Sequence, residues 1–378
     1  MAADGHPKRK KPTGRLMGFR KSSLENMVIN KDFWSGKKVL VTGHTGFKGT
    51  WLSLILSSLN ADVVGYALEP NTEPSFFAAI EDKLKLQSII GDIKDHQHLK
   101  QAIDKANPEI IVHMAAQPLV RLSYDDPVET YATNVLGLVN VLDIAKNCKQ
   151  LKAFLNVTSD KCYQNNEWLW GYRESDRLGG HDPYSNSKAC AELVTSSFRL
   201  SFFDQLNIGL ASARAGNVIG GGDWSQDRLI PDFIRAQQGD RTLSIRSPKA
   251  IRPWQHVIEP IFGYLNLCER LYQDPKKYSE AWNFGPNDSD MVDVETVISE
   301  MQGHMSQAVN VELNKDLSKH EASLLKLDVS KVKRELEWES RWDFKESIKL
   351  TAYWYEAYYQ KKDIYNFSLE QVKRYLTN

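Results

Sequence analysis

Cysteine is scarce and scattered: Cys148, Cys162, Cys190 and Cys268 form no Cys-x-x-Cys, and no histidine pair accompanies them. That spacing argues against a structural zinc site or a disulfide framework and fits a reducing, cytoplasmic setting. No apolar run approaches the ~20 residues that cross a bilayer. Lys and Arg number 48, as do Asp and Glu, so the net charge is zero. Without a field of one sign, no nucleic-acid or membrane partner is expected. Internal repeats are lacking too. What is there is a chain of 378 residues, 42% hydrophobic, enough for a large core and two domains.

One stretch breaks the charge balance. Between residues 1 and 26, Lys8, Arg9, Lys10, Lys11, Arg15, Arg20 and Lys21 outweigh Asp4 and Glu25, and no apolar core of a secretory signal accompanies them. A disordered or extraneous basic leader is expected there, with Met27 as the natural start. Residues 27–216 then read as a dinucleotide-binding domain. Residues 217–378 read as a smaller, mainly substrate-binding domain of mixed α/β character, with segments able to return to the first domain's sheet.

Lys37–Thr42 reads as a short buried strand, followed by Gly43-His44-Thr45-Gly46-Phe47-Lys48-Gly49 and an apolar helix over 50–59. A glycine-rich turn between strand and helix lets the backbone approach a pyrophosphate at the helix N-terminus. Gly43, Thr45, Gly46, Phe47 and Gly49 are therefore assigned to the cofactor. Further strands are expected over 62–68, 86–90, 109–114 and 151–158, with a long helix over 127–148. Alternating strands and helices imply a Rossmann-type α/β fold, a doubly wound parallel sheet with right-handed crossovers. Ligands bind outside the carboxyl ends of such strands. Asp92 and Ile93 follow the third strand, and Ala115, Ala116 and Gln117 follow the fourth. Asp92 suits the adenine edge, and the two alanines permit close approach. Asn134 is either an ordinary helix residue or one that orders water or backbone beside the site. The second strand ends Ala67-Leu68-Glu69, where Glu69 lies too far along for the usual ribose contact and no arginine waits for a 2′-phosphate. NAD is favoured over NADP.

Ser159-Asp160-Lys161-Cys162-Tyr163, with Tyr184 and Lys188 beyond it, is the stretch that carries chemistry. Residues four apart on a helix share a face, so Lys188 stands beside Tyr184. A nearby ammonium favours the phenolate, which lets tyrosine act as a base. Moving its pKa from ~10 to ~7 takes about 4 kcal/mol, a demand that the ammonium and a cationic nicotinamide can share. Ser159 either caps a strand end or orients a substrate hydroxyl. Asp160 is either a solvated turn residue or a general acid.

With Arg214–Trp224 (RAGNVIGGGDW) and Arg252-Pro253-Trp254-Gln255-His256-Val257, these motifs resemble the nucleotide-sugar branch of the extended short-chain dehydrogenase/reductase superfamily. The resemblance runs from residue 27 to nearly the end, and within that branch the set is similar to the CDP-glucose 4,6-dehydratase family. It implies a lyase that uses NAD to make CDP-4-keto-6-deoxyglucose, a precursor of the deoxysugars of bacterial surface polysaccharide. The cytidine rests on the resemblance alone. By the same resemblance, Tyr184 is the base for the C4 hydroxyl, Ser159 orients that hydroxyl, and Lys188 lowers the Tyr184 pKa and binds the nicotinamide ribose. Asp160 protonates the departing C6 hydroxyl. Lys161, a glutamate in the dTDP-glucose dehydratases, is either the base at C5 or an electrostatic stabiliser of the enolate.

The resemblance also places Asn217, Arg228 and Arg252 on the nucleotide diphosphate. Leu229 opens a helical segment that closes over the sugar nucleotide, and Asn283, on a strand returning to the substrate pocket, adds a phosphate or base contact. Trp224 and Trp254 pack in the core or stack on a base. No metal is called for, and a homo-oligomer, dimer or tetramer, is expected through the helices over 127–148 and around Tyr184. A 4-epimerase or reductase would share Ser159, Tyr184 and Lys188 but have no use for an acid–base pair at Asp160 and Lys161. A non-catalytic NAD-binding protein would show lesions in the tyrosine–lysine pair, and both residues are intact.

Overall fold

The computed structural model describes residues 29–313 and 324–377. The leader expected over 1–26, and Met27 with it, lies outside the described residues. Seven parallel strands organise the chain: β1 (Lys38–Thr42), β2 (Asp62–Ala67), β3 (Leu86–Ile90), β4 (Ile110–His113), β5 (Ala153–Val157), β6 (Gly209–Ala215) and β7 (Ala281–Phe284). They stand in the order β7-β6-β5-β4-β1-β2-β3. The order turns back at β1, which pairs with β2 on one side and β4 on the other. In an open α/β sheet this is where a ligand crevice forms. The Rossmann-type α/β fold expected from the alternation of strands and helices is the fold observed.

Successive side chains of a strand point to opposite faces, and β1 shows the result. Val39 and Val41 enter one core with Val112, Trp51 and Leu54, while Leu40 enters the other with Ile111, Leu142 and Phe154. Helices cover both faces, so β4 and β5 are buried at every position and are apolar apart from His113 and Asn156. At the edge, β3 leaves Gln87 and Ser88 exposed.

The second half of the chain divides between two tasks. Helices Ile258–Gln273, Phe344–Tyr359 and Ile364–Thr377 join the core that holds Trp51, and β7 completes the sheet beside β6. Short strands at Leu243–Ile245, Ile251–Pro253, Met291–Asp293 and Val311–Leu313 pair into separate two-stranded ribbons. Among the described residues, no helix is long and apolar enough to cross a membrane.

The helix expected over 127–148 is interrupted. Pro127–Tyr131 and Leu138–Ala145 are regular, but Ala132–Gly137 between them winds as a wider π turn. Asn134 sits in that turn, buried, accepting the Gln117 N–H at 2.8 Å and donating to the Gln117 carbonyl at 3.0 Å and to Ser187 Oγ at 2.9 Å. Such local widening often marks functional sites, and periodicity does not disclose it, because flanking side chains keep an apolar stripe.

Candidate active site

The turn after β1 is shaped by glycine. Gly43 has φ +77°, and a Cβ there would stand 2.8 Å from the Ala115 backbone nitrogen. A Cβ on Gly49 would approach the Gly43 carbonyl oxygen to 2.0 Å, so neither position admits a side chain. The helix that follows, α1 (Phe47–Ser58), has Gly46 as its N-cap with no side-chain hydrogen bond to its first turn. Its N-terminal N–H groups and the positive end of its dipole are thus left to an anion. Thr45 steadies the turn by donating to the Leu68 carbonyl at 2.8 Å.

This turn opens on a cleft of about 1060 Å³ at the carboxyl ends of the strands. Gly43, Thr45, Gly46, Phe47 and Gly49 line it, as do Asp92, Ile93, Ala115 and Ala116. Asp92 is partly engaged, accepting the Lys94 N–H at 2.8 Å. Glu69, slightly too far along the sequence and open there to a surface or a ribose-binding reading, also reaches the cleft wall, together with Asn71. An uncapped helix end, a side-chain-free turn and small residues at 115 and 116 together fit an extended dinucleotide.

Tyr184 and Lys188 lie on α2 (Pro183–Phe198), a helix begun by Asp182, whose carboxylate accepts the Ser185 N–H at 2.9 Å, and by proline at its first position. Both side chains are buried and line the cleft. Beside them, β5 ends and Ser159 caps a short 3₁₀ turn, Asp160–Cys162. Ser159 Oγ accepts the Lys161 N–H at 3.2 Å and donates to Asp160 Oδ1 at 2.9 Å. Asp160 is 1% exposed, and its Oδ2 has no hydrogen-bond partner. A buried carboxylate oxygen left without a donor costs stability. The Lys161 ammonium stands 3.7 Å from Asp160 Oδ1 with its side chain 30% exposed.

The electrostatics depart from expectation at Tyr184. Burial pushes its phenol up to about 12, opposed by a hydrogen bond with Ser159 and by the Arg228 guanidinium and reinforced by Asp160 and Asp182. The pull toward phenolate expected from Lys188 comes instead from Ser159 and Arg228. The reason is the shared dry environment: burial also pushes the Lys188 ammonium down to about 8, with the Glu192 carboxylate one turn along opposing it.

On the opposite wall, Asn217, Arg228, Leu229 and Arg252 all line the cleft. Arg228 precedes α3 (Leu229–Gln238) and donates to Asp223 at 2.9 Å. Trp254 reaches the cleft while donating to the Val292 carbonyl at 3.2 Å. Trp224 is buried among Trp354, Tyr355 and Tyr358 instead.

Three sequence assignments fall away from the cleft wall. Asn283 is fully buried in β7; its amide accepts from Tyr163 Oη at 2.7 Å and donates to the carbonyls of Tyr172 at 2.8 Å and Asp328 at 3.1 Å. It is a brace rather than a phosphate or base contact, because β7 enters the main sheet and does not run to the substrate pocket. Gln117 turns its amide to Thr130 Oγ1, at 2.8 Å, and to the Leu119 carbonyl, at 3.1 Å. Asn134 holds the Gln117 backbone, the second of its two sequence readings.

Lys48 is the residue that sequence reasoning passed over. It sits in the first turn of α1 and lines the cleft, and burial, with Arg228, Lys188 and Lys161 as like charges, pushes it down to about 8. The signal was available, since a lysine in a helix's first turn opposes the dipole. Arg121 and Arg246, which share Asp227 at 3.7 Å each, also line the cleft and went unassigned.

The family model for GDP-mannose 4,6 dehydratase matches residues 40–351. CDP-glucose 4,6-dehydratase of Salmonella typhimurium is 49% identical to the chain over 355 residues, covering 93% of this chain and 99% of that protein. The dTDP-D-glucose 4,6-dehydratase of Homo sapiens is 28% identical over 258 residues, 66% of this chain and 69% of its own. Among solved structures, UDP-glucose 4-epimerase from Brucella ovis in complex with NAD superposes with a TM-score of 0.72 at 19% identity, covering 84% of this chain and 98% of its own. At that identity the likeness speaks for the fold.

Proposed function

The chain belongs to the GDP-mannose 4,6 dehydratase family, and from that premise we propose that it dehydrates CDP-glucose to CDP-4-keto-6-deoxyglucose. It is then a hydro-lyase supplying deoxysugars for bacterial surface polysaccharide such as O-antigen lipopolysaccharide. One observation carries the reading: Asp160 and Lys161, on one turn, and Tyr184 and Lys188, on one helix, line the same cleft. Simple epimerisation or reduction uses only the second pair. The 49% identity to a CDP-glucose 4,6-dehydratase supports the choice of nucleotide.

A proton at C5 resists removal until a ketone at C4 can delocalise the carbanion, so oxidation precedes water loss. Bound NAD would supply a reversible hydride acceptor, so that no net redox change results. The residues of the chain handle the protons. Tyr184 removes the proton of the C4 hydroxyl while Ser159 fixes that hydroxyl, and Lys188 binds the nicotinamide ribose. Lys161 takes the C5 proton or stabilises the enolate. Asp160, on the wall of the same cleft, is the general acid for the departing C6 hydroxyl. Arg228 and Arg252, with Asn217 and Leu229, hold the diphosphate, for which planar guanidinium donors are suited.

The enzyme works in the cytoplasm as a homo-oligomer. Val128, Leu136, Leu193 and Leu200, exposed on the 127–145 segment and on α2 with its extension, support that assembly. Incubation with CDP-glucose and NAD in deuterated water tests the reaction. A 4-keto-6-deoxy product with deuterium at C5, and no net cofactor reduction, is the expected result. A product that keeps its C6 hydroxyl and gains no C5 deuterium would make the protein an epimerase or reductase.

A further inference from the structure

Behind the cleft lies a buried ion pair that the proposed chemistry does not use. Glu192 sits on α2 one turn beyond Lys188, and Arg214 sits on β6; both are 3% exposed. Arg214 donates to Glu192 Oε2 at 2.8 Å, Ser212 Oγ donates to the same oxygen at 2.6 Å, and Thr158, at the end of β5, donates to the other. The second arm of Arg214 donates to Tyr163 Oη at 2.8 Å and to the Glu174 carbonyl at 3.1 Å. Tyr163 in turn donates to Asn283 Oδ1 at 2.7 Å, and its ring stacks on Tyr172 at 5.3 Å. Tyr163 is the residue on which the Asp160–Cys162 turn ends.

A buried ion pair is weak evidence for stability, because desolvating two charges offsets their attraction. Its geometry has another consequence. The chain of contacts links the helix of Tyr184 and Lys188, through Glu192, Arg214 and Tyr163, to the turn of Asp160 and Lys161, and anchors it on β7 through Asn283. We propose that Glu192, Arg214 and Tyr163 are positioning residues that fix the Asp160–Cys162 turn relative to α2, and so govern the elimination steps selectively over oxidation at C4. This rests on the dehydratase reading above.

The test uses Tyr163→Phe, which removes only the hydroxyl joining Arg214 to Asn283, and Arg214→Lys as a second variant. Each is mixed with CDP-glucose and NAD in deuterated water for a single turnover, beside the wild-type enzyme. C5 deuterium and reduced-nicotinamide absorbance are followed together. Because a small misplacement of reacting groups can cost up to about 10²-fold, C5 exchange should fall by about 10–10²-fold. The absorbance should rise at close to the wild-type rate and then persist. If both signals fall by the same factor, or neither changes, the positioning role is refuted. Should the wild-type enzyme itself give neither C5 exchange nor 4-keto product, the dehydratase reading falls, and this inference with it.

Discussion

Tyr184 and Lys188 stand on a helix of 16 residues with its own aspartate cap, whereas Asp160 and Lys161 ride on a turn of three. The helix fixes the spacing of its pair through regular backbone hydrogen bonds alone. The turn has only two long internal bonds, Cys162 N–H to the Ser159 carbonyl at 3.3 Å and Tyr163 N–H to the Asp160 carbonyl at 3.5 Å; Ser159 caps one end, and its other end is held by Tyr163 and the contacts behind it. Exposure divides the turn itself, with Asp160 at 1% and the Lys161 side chain at 30%, while Tyr184 and Lys188 are both buried. On the proposed roles, secondary structure spaces the tyrosine–lysine pair of the oxidation, while the acid–base pair of the elimination depends more on tertiary contacts. The second half of the chemistry is the easier one to detune.

That contrast can be broken most severely at the helix. Tyr184→Phe should lower turnover by ~10²–10⁴-fold, the usual loss of an acid–base group; product formation at an unchanged rate would remove Tyr184 from the reaction. On the turn, Lys161→Ala should keep nucleotide binding, measured by calorimetry, while abolishing C5 exchange. Ordinary exchange in that variant would place the base elsewhere.

The pH dependence sharpens the contrast from the electrostatic side. Burial holds Lys48 and Lys188 down at about 8, so each is an ammonium below that pH and a neutral amine above it. Affinity for an anionic sugar nucleotide should fall as pH rises through about 8. Lys48→Met should bind more weakly below 8 and show a shallower decline, both read from binding titrations across pH. A wild-type affinity flat from pH 7 to 9 would mean that neither ammonium meets the nucleotide.

The smallest effect concerns function at Asn283. Asn283→Ala should leave nucleotide affinity unchanged and lower unfolding stability by roughly 1–3 kcal/mol, the cost of stranding its buried partners. Denaturant titration beside binding separates the two outcomes.

What could be read from sequence follows from how local each feature is. The glycine turn, β1–β5 and the tyrosine–lysine spacing are set by neighbouring residues, and all appear near their expected places. Asn283 was misplaced because sequence shows a strand but not its partner, and pairing with β6 took it inside the sheet. The direction of the Tyr184 shift was equally hidden. Charge spacing along a helix says nothing about how far the surrounding residues exclude water. Arg246 reaches the cleft only once distant segments assemble around it.

The wide turn at Ala132–Gly137 carries a consequence for lineage. A π turn takes up one surplus residue, so deleting one there would restore ordinary winding with the helix on either side still facing as it does now. Leu138, Val141 and Leu142 would stay in their core, but the grip of Asn134 on Gln117 would open. The core would tolerate that deletion; the Gln117 backbone would not.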